Sequence, residues 1–275
     1  MTNSNKYSQQ LVEDLNQTIS QFPHVFKIDE EMKKSFSGVS RMVMLDRYSQ
    51  RDVKKETLKI GDLVVVIVKA DPKWPGKGIG FVTNINGQDI SIKLDKEYDH
   101  LVEDKEEIAR KEIVRKLDVV DKPLELYYEQ IARRNANALA SVEPSEAKRI
   151  EYTEKFEREL AKLNLIPAGR VLYGAGSGTD VTYFNCFVMP FVKDSREGIS
   201  DHRKEVMGIM SRGGGVGTNG STLRPRNAMA RGVNGFSSGA VTWLDDLSKL
   251  TNLVIQGGSR RGAQMVMMAD KEIFE

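Results

Sequence analysis

The stretch Arg212–Asn227, RGGGVGTNGSTLRPRN, carries five glycines and three arginines in sixteen residues. Glycine lets backbone N–H groups approach an anion closely. The guanidinium groups of Arg212, Arg224, Arg226 and Arg231 are forked donors suited to phosphate oxygens. The stretch is not a P-loop, because no Gly-Lys-Ser/Thr follows the glycines. Gly215–Gly220 fits the spacing G-x-G-x-x-G, but it follows a helix rather than a strand, so the dinucleotide fingerprint fails its context. Two readings stay open at this level: a cradle for an anion or nucleotide, and a surface loop.

The flanking sequence sets the frame. KDSREGISDHRKEVMGIMSR opens on the capping pair Asp194-Ser195 and continues as a helix with Ile199, Val206, Met207 and Met210 on one face. SSGAVTWLDDLSKLTNLVIQ is a second amphipathic helix, with Val241, Leu244, Leu247, Thr251 and Val254 inward. VTYFNCFVMPFV before them and SRRGAQMVMMAD after them read as strands, the first one buried. IPAGRVLYGAGSG reads as loop. Strand, helix, loop, helix, strand is an α/β pattern. A second glycine-rich turn, Gln256–Gln264, holds two arginines and two glutamines, groups able to hold phosphate or read a base edge.

Upstream the character changes. LKIGDLVVVIVK is β-branched and strand-like, and GFVTNINGQDISIKL gives two strands about Asn86-Gly87. These short strands suggest an SH3-like module at residues 57–100, a structural addition or a binder of RNA or peptide. Leu11, Leu15 and Ile19 share helical spacing near the N-terminus, and RMVMLDRYS at Arg41–Ser49 is an apolar patch suited to docking. KPLELYYEQIARRNANALA repeats apolar residues at Leu124, Tyr127 or Tyr128, Ile131 and Ala138. VEPSEAKRIEYTEKFERELAKLNL places Tyr152, Phe156, Leu160 and Leu163 on one face. The expected division is therefore an N-terminal region at 1–56, the β module at 57–100, a helical domain at 101–165 and an α/β portion at 166–275.

Composition excludes some classes. The net charge of +2 in 275 residues forces neither a nucleic acid nor a membrane partner. No apolar run approaches the ~20 residues needed to span a bilayer, and the first residues lack the apolar core of a signal peptide. A single cysteine, Cys186, forms no internal disulfide, and a cytoplasmic setting is the default. Read alone, it is either a small buried hydrophobe or a redox thiol. His24, His100 and His202 are dispersed without metal-ligand spacing, so no metal site is expected.

IPAGRVLYGAG, TDVTYFNCFVMPF, the run from Lys193 to Asn227, ARGVNGFSSGAVTWLDDL and QGGSRRGAQMVMM together resemble the N-terminal part of class II, adenosylcobalamin-dependent ribonucleotide reductases. GVSRMVMLDRYS, the β module and KPLELYYEQIARRNANALASVE also resemble the N-terminal region of the large enzymes of that class. The resemblance implies a helical region followed by the first part of a ten-stranded α/β barrel. It implies thiyl-radical reduction of ribonucleotides, with diphosphates favoured as substrates.

By the same resemblance, Cys186 is one of two cysteines that reduce the ribose 2′ position, and Asn185 and Cys186 line the ribose. Gly169 falls at a substrate-phosphate contact, where it offers only its backbone N–H. Gly215 lies where the first loop nears the substrate. Asp194, Ser195, Arg224 and Arg231 match the site of the allosteric deoxynucleotide. Gln256 and Arg260 belong to a second loop linking effector to substrate choice. The implied partners are a C-terminal portion carrying the remaining cysteines and most of the adenosylcobalamin contacts, a thioredoxin-type reductant, and a second copy in a homodimer. DKEIFE at the end departs from the family pattern. A regulatory module that binds deoxynucleotide or RNA without catalysis is the alternative.

Overall fold

The computed structural model describes residues 38–71, 74–230, 232, 234–254 and 262–269. The helix expected around Leu11, Leu15 and Ile19, and the site residues Arg231, Gln256 and Arg260, lie outside these. The chain is mixed α/β and divides into two compact units, Met1–Ile166 and Pro167–Glu275.

The first unit is organised by an antiparallel sheet. Its strands are β1 (Leu63–Lys69), β2 (Gly76–Asn86), β3 (Asp89–Leu94), β4 (Ile113–Lys116) and β5 (Val120–Asp121), in the order β4-β3-β2-β1-β5. Leu63 to Val66 are all buried, so the β-branched run of β1 is covered on both faces. Val64, Val66, Val82, Ile90, Ile92, Ile113 and Val120 form one core. β2 and β3 pair Asn86 with Asp89, which leaves Gly87 and Gln88 as the turn. The turn sits one residue later than the expected Asn86-Gly87 pair, with Gly87 taking the left-handed φ of +62°. A Cβ at Gly80 would lie 2.6 Å from the Lys93 carbonyl oxygen, so β2 can approach β3 there only as glycine.

The sheet also recruits β4 and β5 from the stretch expected to be helical, 101–165. Lys105–Arg110 is a short helix, α2, capped by Asp104, and Lys111 then turns left-handed at φ +56°. The chain is thereby released into β4, which pairs with β3.

The patch expected at Arg41–Ser49 is a helix, α1 (Gly38–Val43), continuing into a wider π-type turn at Met44–Tyr48. Met44 and Leu45 are buried. Charges hold the segment in place. Asp46 Oδ1 accepts from Lys77 Nζ at 2.6 Å and Arg51 Nη2 at 3.1 Å, and Arg51 Nη1 reaches Asp121 Oδ2 at 2.7 Å. Arg41 Nη1 donates to Asp95 Oδ2 at 2.8 Å. Burial lowers the pKa of the Arg41 guanidinium, and burial raises that of the Asp95 carboxyl despite the neighbouring charge.

Two helices complete this unit, α3 (Tyr128–Ala140) and α4 (Glu146–Ala161). α3 begins where Gln130 Oε1 accepts from the amides of Leu126 and Tyr127 at 2.7 and 3.1 Å. Leu124 stays outside the helix and exposed. Ala132 and Ala136 meet Leu160, small residues letting the helices approach. Leu163, expected on the inner face of α4, instead takes φ +59° past the helix end and is exposed.

The second unit holds α5 (Gly169–Gly174), β6 (Cys186–Val188), α6 (Arg196–Ser211), β7 (Gly215–Asn219), a small hairpin of β8 (Met229–Ala230) and β9 (Gly235–Phe236), α7 (Ala240–Leu253) and β10 (Gln264–Met267). β6, β7 and β10 form a parallel sheet in the order β10-β7-β6. α6 and α7 bury Val206, Met210, Leu244, Leu247 and Leu250 against Val216 of β7. Met207 and Val241, expected inward, are exposed, and Leu250 takes the buried place instead. IPAGRVLYGAGSG, expected as loop, contains α5, because burying Arg170 and Leu172 overrides its weak helix propensity.

Ile92 is fully buried in the sheet core, whereas Ile150 on α4 is 56% exposed. Ile92→Ala is expected to cost about 2–5 kcal/mol and Ile150→Ala less than about 0.5 kcal/mol. Urea denaturation followed by circular dichroism measures both; equal losses would refute this assignment of the core.

Candidate functional site

The glycine-rich stretch read as loop is, at its centre, the middle strand of the parallel sheet. The Gly215 amide donates to the Asn185 carbonyl at 2.8 Å, and the Met189 amide to Gly217 at 3.0 Å. On the other edge the Val216 amide donates to Ala263 at 3.0 Å and the Gly220 amide to Met267 at 2.9 Å. Two ladders hold a strand of low intrinsic propensity. The glycines have steric causes. Gly213 stands at φ +89°, and a Cβ there would lie 2.2 Å from Arg170 Nη1. A Cβ on Gly214 would lie 2.6 Å from the Ile209 side chain and 2.8 Å from the Phe187 ring.

This register places Cys186 directly beside Gly215. The expected long buried strand around Cys186 is three residues long, and the thiol is exposed. Tyr183, Phe184 and Val188 around it are exposed as well. Asn185, Cys186 and Gly215 therefore share one place at the start of the parallel sheet. Gly169 opens α5, and its neighbour Arg170 lays a buried guanidinium against Gly213, two residues before Gly215.

A second group gathers at the start of α6. Arg224 Nε donates to Asp194 Oδ2 at 2.7 Å, and Arg224 Nη2 to the Asp194 carbonyl at 3.2 Å. Ser195 is the N-cap, its Oγ accepting from the Gly198 amide at 3.0 Å. Asp194, Ser195 and Arg224 are thus brought together, half exposed, where the helix end favours negative charge. Among the described residues no group of three His, Cys, Asp or Glu is arranged to hold a metal ion.

Sequence reasoning set His202 aside because it lacks metal-ligand spacing. It is buried, and its Nε2 lies 3.0 Å from Thr218 Oγ1 on β7, a residue with no exposed surface. Burial lowers the imidazole pKa, against the opposing pull of Glu205. The available signal was helical spacing, since 199, 202, 206 and 210 lie on one face of α6.

Two family models match the chain in succession. The all-alpha domain of ribonucleotide reductase matches residues 117–180, and its barrel domain matches 184–273. The chain belongs to the ribonucleotide reductase family. The reductase barrel match begins two residues before Cys186 and takes in β6, β7 and β10. Among curated relatives, a vitamin B12-dependent ribonucleoside-diphosphate reductase of Thermoplasma acidophilum is 35% identical over 114 residues, 42% of this chain and 15% of that protein. One of the same name from Mycobacterium tuberculosis is 33% identical over 138 residues, 50% of this chain and 19% of the relative. A ribonucleoside-diphosphate reductase large subunit of Monkeypox virus is 31% identical over 100 residues, 36% of this chain and 13% of that subunit. The chain thus aligns with less than a fifth of the length of each of these reductases.

Vitamin B12 in the relatives' names invites a test of fit. The cleft between α6 and α7, lined chiefly by Val192, Leu223, Trp243, Leu244 and Leu247, has room for about one water molecule, against the roughly 300–1,000 Å³ of ordinary ligand pockets. The described residues of this cleft do not fit a corrin.

Two outcomes follow from this geometry. The native chain is expected to release one equivalent of chromophore from a disulfide reagent without denaturant, since its single thiol is exposed; reaction only after unfolding would contradict the exposed position. His202 gives a pH dependence. Unfolded, the imidazole binds its proton near pH 6.5, whereas burial delays protonation to lower pH in the fold. Between those values the unfolded state binds more protons, so this contribution is complete above pH 6.5 and is lost as pH falls through the lowered value. Denaturant midpoints measured from pH 7.5 to 5 are expected to fall more steeply for the unmodified chain than for His202→Gln.

Proposed function

We propose that this chain is part of the large chain of a vitamin B12-dependent ribonucleoside-diphosphate reductase, contributing one redox thiol and the seat of an allosteric deoxynucleotide. The observation that carries the reading is the exposed Cys186 registered against Gly215 at the start of the parallel sheet. The names of the Thermoplasma and Mycobacterium relatives support the substrate and the B12 dependence.

In this reading two thiols reduce the 2′ carbon of the ribonucleotide. The 2′ hydroxyl leaves as water, the carbon gains hydrogen, and the thiols become a disulfide, which a thioredoxin-type dithiol reduces again. Cys186 is one thiol. The partner thiol and the radical-forming thiol must come from outside this sequence, which has a single cysteine. Asn185 and the backbone of Gly215 border the ribose, and the Gly169 amide meets the substrate phosphate. Asp194, Ser195, Arg224 and Arg231 hold the effector, while Gln256 and Arg260 report it to the substrate. Adenosylcobalamin is held mainly by residues beyond this chain. The assembled enzyme is a cytoplasmic homodimer. Residues 57–100, extended by β4 and β5, belong to an SH3-like module, α3 and α4 to the helical domain, and 166 onward to the start of a ten-stranded barrel. RNA binding by the module finds little support, since carboxylates pair with its lysines: Lys69 with Glu103 and Lys77 with Asp46 at 2.6 Å.

The pure chain is expected to form no deoxynucleotide, and Cys186→Ser is expected to abolish turnover in the enzyme completed with the missing cysteines while leaving substrate affinity nearly intact. Arg224→Ala is expected to weaken deoxynucleotide binding about tenfold or more, because a charge-assisted bond contributes about 1.5–3 kcal/mol. Calorimetry with the four deoxynucleoside triphosphates measures this. Affinity unchanged in Arg224→Ala would remove the effector from this site; turnover retained in Cys186→Ser would make the thiol a packing residue.

A further inference from the structure

Two groups lie apart in the second unit, the Asp194–Arg224 pair at the start of α6 and Cys186 beside β7. A short series of contacts joins them. Val192 and Leu223, two residues and one residue away from the paired charges, are both buried in one cluster with Ala240. The Thr222 hydroxyl donates to the Val192 carbonyl, tying the two segments together. Val192 and Leu223 then line the cleft between α6 and α7, and His202 lines the same cleft from the middle of α6. From there His202 Nε2 meets Thr218 Oγ1 at 3.0 Å, one of the few polar links from α6 to β7. Thr218 lies three residues along β7 from Gly215, whose amide holds Asn185 beside Cys186.

The rest of the interface between α6 and β7 is apolar. Val206, Met210 and Val216 pack without direction, so they allow small slides of the helix across the strand. A hydrogen bond does not, because it weakens steeply with distance and angle. The bond is also shielded from water on a wholly buried hydroxyl, where losing a partner is costly.

We infer that His202, through its bond to Thr218, is the positioning residue that ties the helix bearing the Asp194–Arg224 pair to the strand beside Cys186, so that a nucleotide at the pair changes the setting of the thiol. The inference rests on the proposed roles of that pair and of Cys186. It adds a route through the sheet, separate from the second glycine-rich turn.

The chain supplies its own reporter, since Cys186 is its single cysteine. The rate of Cys186 alkylation by iodoacetamide is measured in the unmodified chain, His202→Leu, His202→Gln and Thr218→Val, without nucleotide and with each deoxynucleoside triphosphate at saturation. Nucleotide binding is followed separately by calorimetry and folding by thermal melting. Without nucleotide, His202→Leu and Thr218→Val are expected to change the rate about fivefold or more, and His202→Gln, which keeps a donor and an acceptor, is expected to restore it. With nucleotide, the unmodified chain and His202→Gln are expected to respond by a comparable factor, within the usual range of coupling between sites, and His202→Leu and Thr218→Val are not. Rates unchanged by every substitution overturn the inference, as does a nucleotide response retained in His202→Leu. Absence of nucleotide binding to the unmodified chain overturns the functional reading and the coupling claim together, while the nucleotide-free rates still decide whether His202 positions Cys186.

Discussion

The hydrogen bond from the Gly215 amide to the Asn185 carbonyl, 2.8 Å long, is the contact on which the second unit turns. It fixes the register of β7 against β6, and with it the neighbour of Cys186. A slip of one residue would put Val216 beside the thiol and reverse the face of every side chain on β7. The matching bond from Val216 to Ala263 sets β10 on the other side. With both edges occupied, β7 presents Val216 to α6 and α7 and Thr218 to His202.

The glycines that make this possible are steric requirements before they are ligand contacts. Arg170 lies against Gly213, and Phe187 and Ile209 against Gly214.

Much of this was legible in the sequence. The cap at Ser195, the two amphipathic helices around the glycine run, the β-branched β1 and the docking patch at Arg41–Ser49 all rest on local signals of spacing and capping. Misreadings arose where tertiary pairing overrides local preference. Gly215–Asn219, with three of its five residues Gly or Asn, has low strand propensity and is a strand because neighbours on both sides supply its ladder. α5 is helical because Arg170 and Leu172 are buried. The apolar neighbours of Cys186 suggest burial, yet only Phe187 and Val188 of them join it in the sheet. His202 was overlooked because a lone histidine was weighed as a metal ligand, whereas its place between Ile199 and Val206 on the helical repeat marks it as an inward-facing polar group in want of a partner. The sheet's recruitment of β4 and β5 needed the left-handed turn at Lys111, which no composition rule announces.

The three-stranded sheet has two outer strands, and both carry apolar surface. Val188 on β6 is exposed, as are Met265, Val266 and Met267 on β10. Among the described residues neither outer edge is covered by a further strand. An open edge flanked by apolar side chains is a template for adhesion between copies, and proteins usually blunt it with charge or proline. Here the edges are left sharp. In a concentrated solution two copies can therefore pair edge to edge, and the same open rows that let a sheet take on a strand make this one prone to clump.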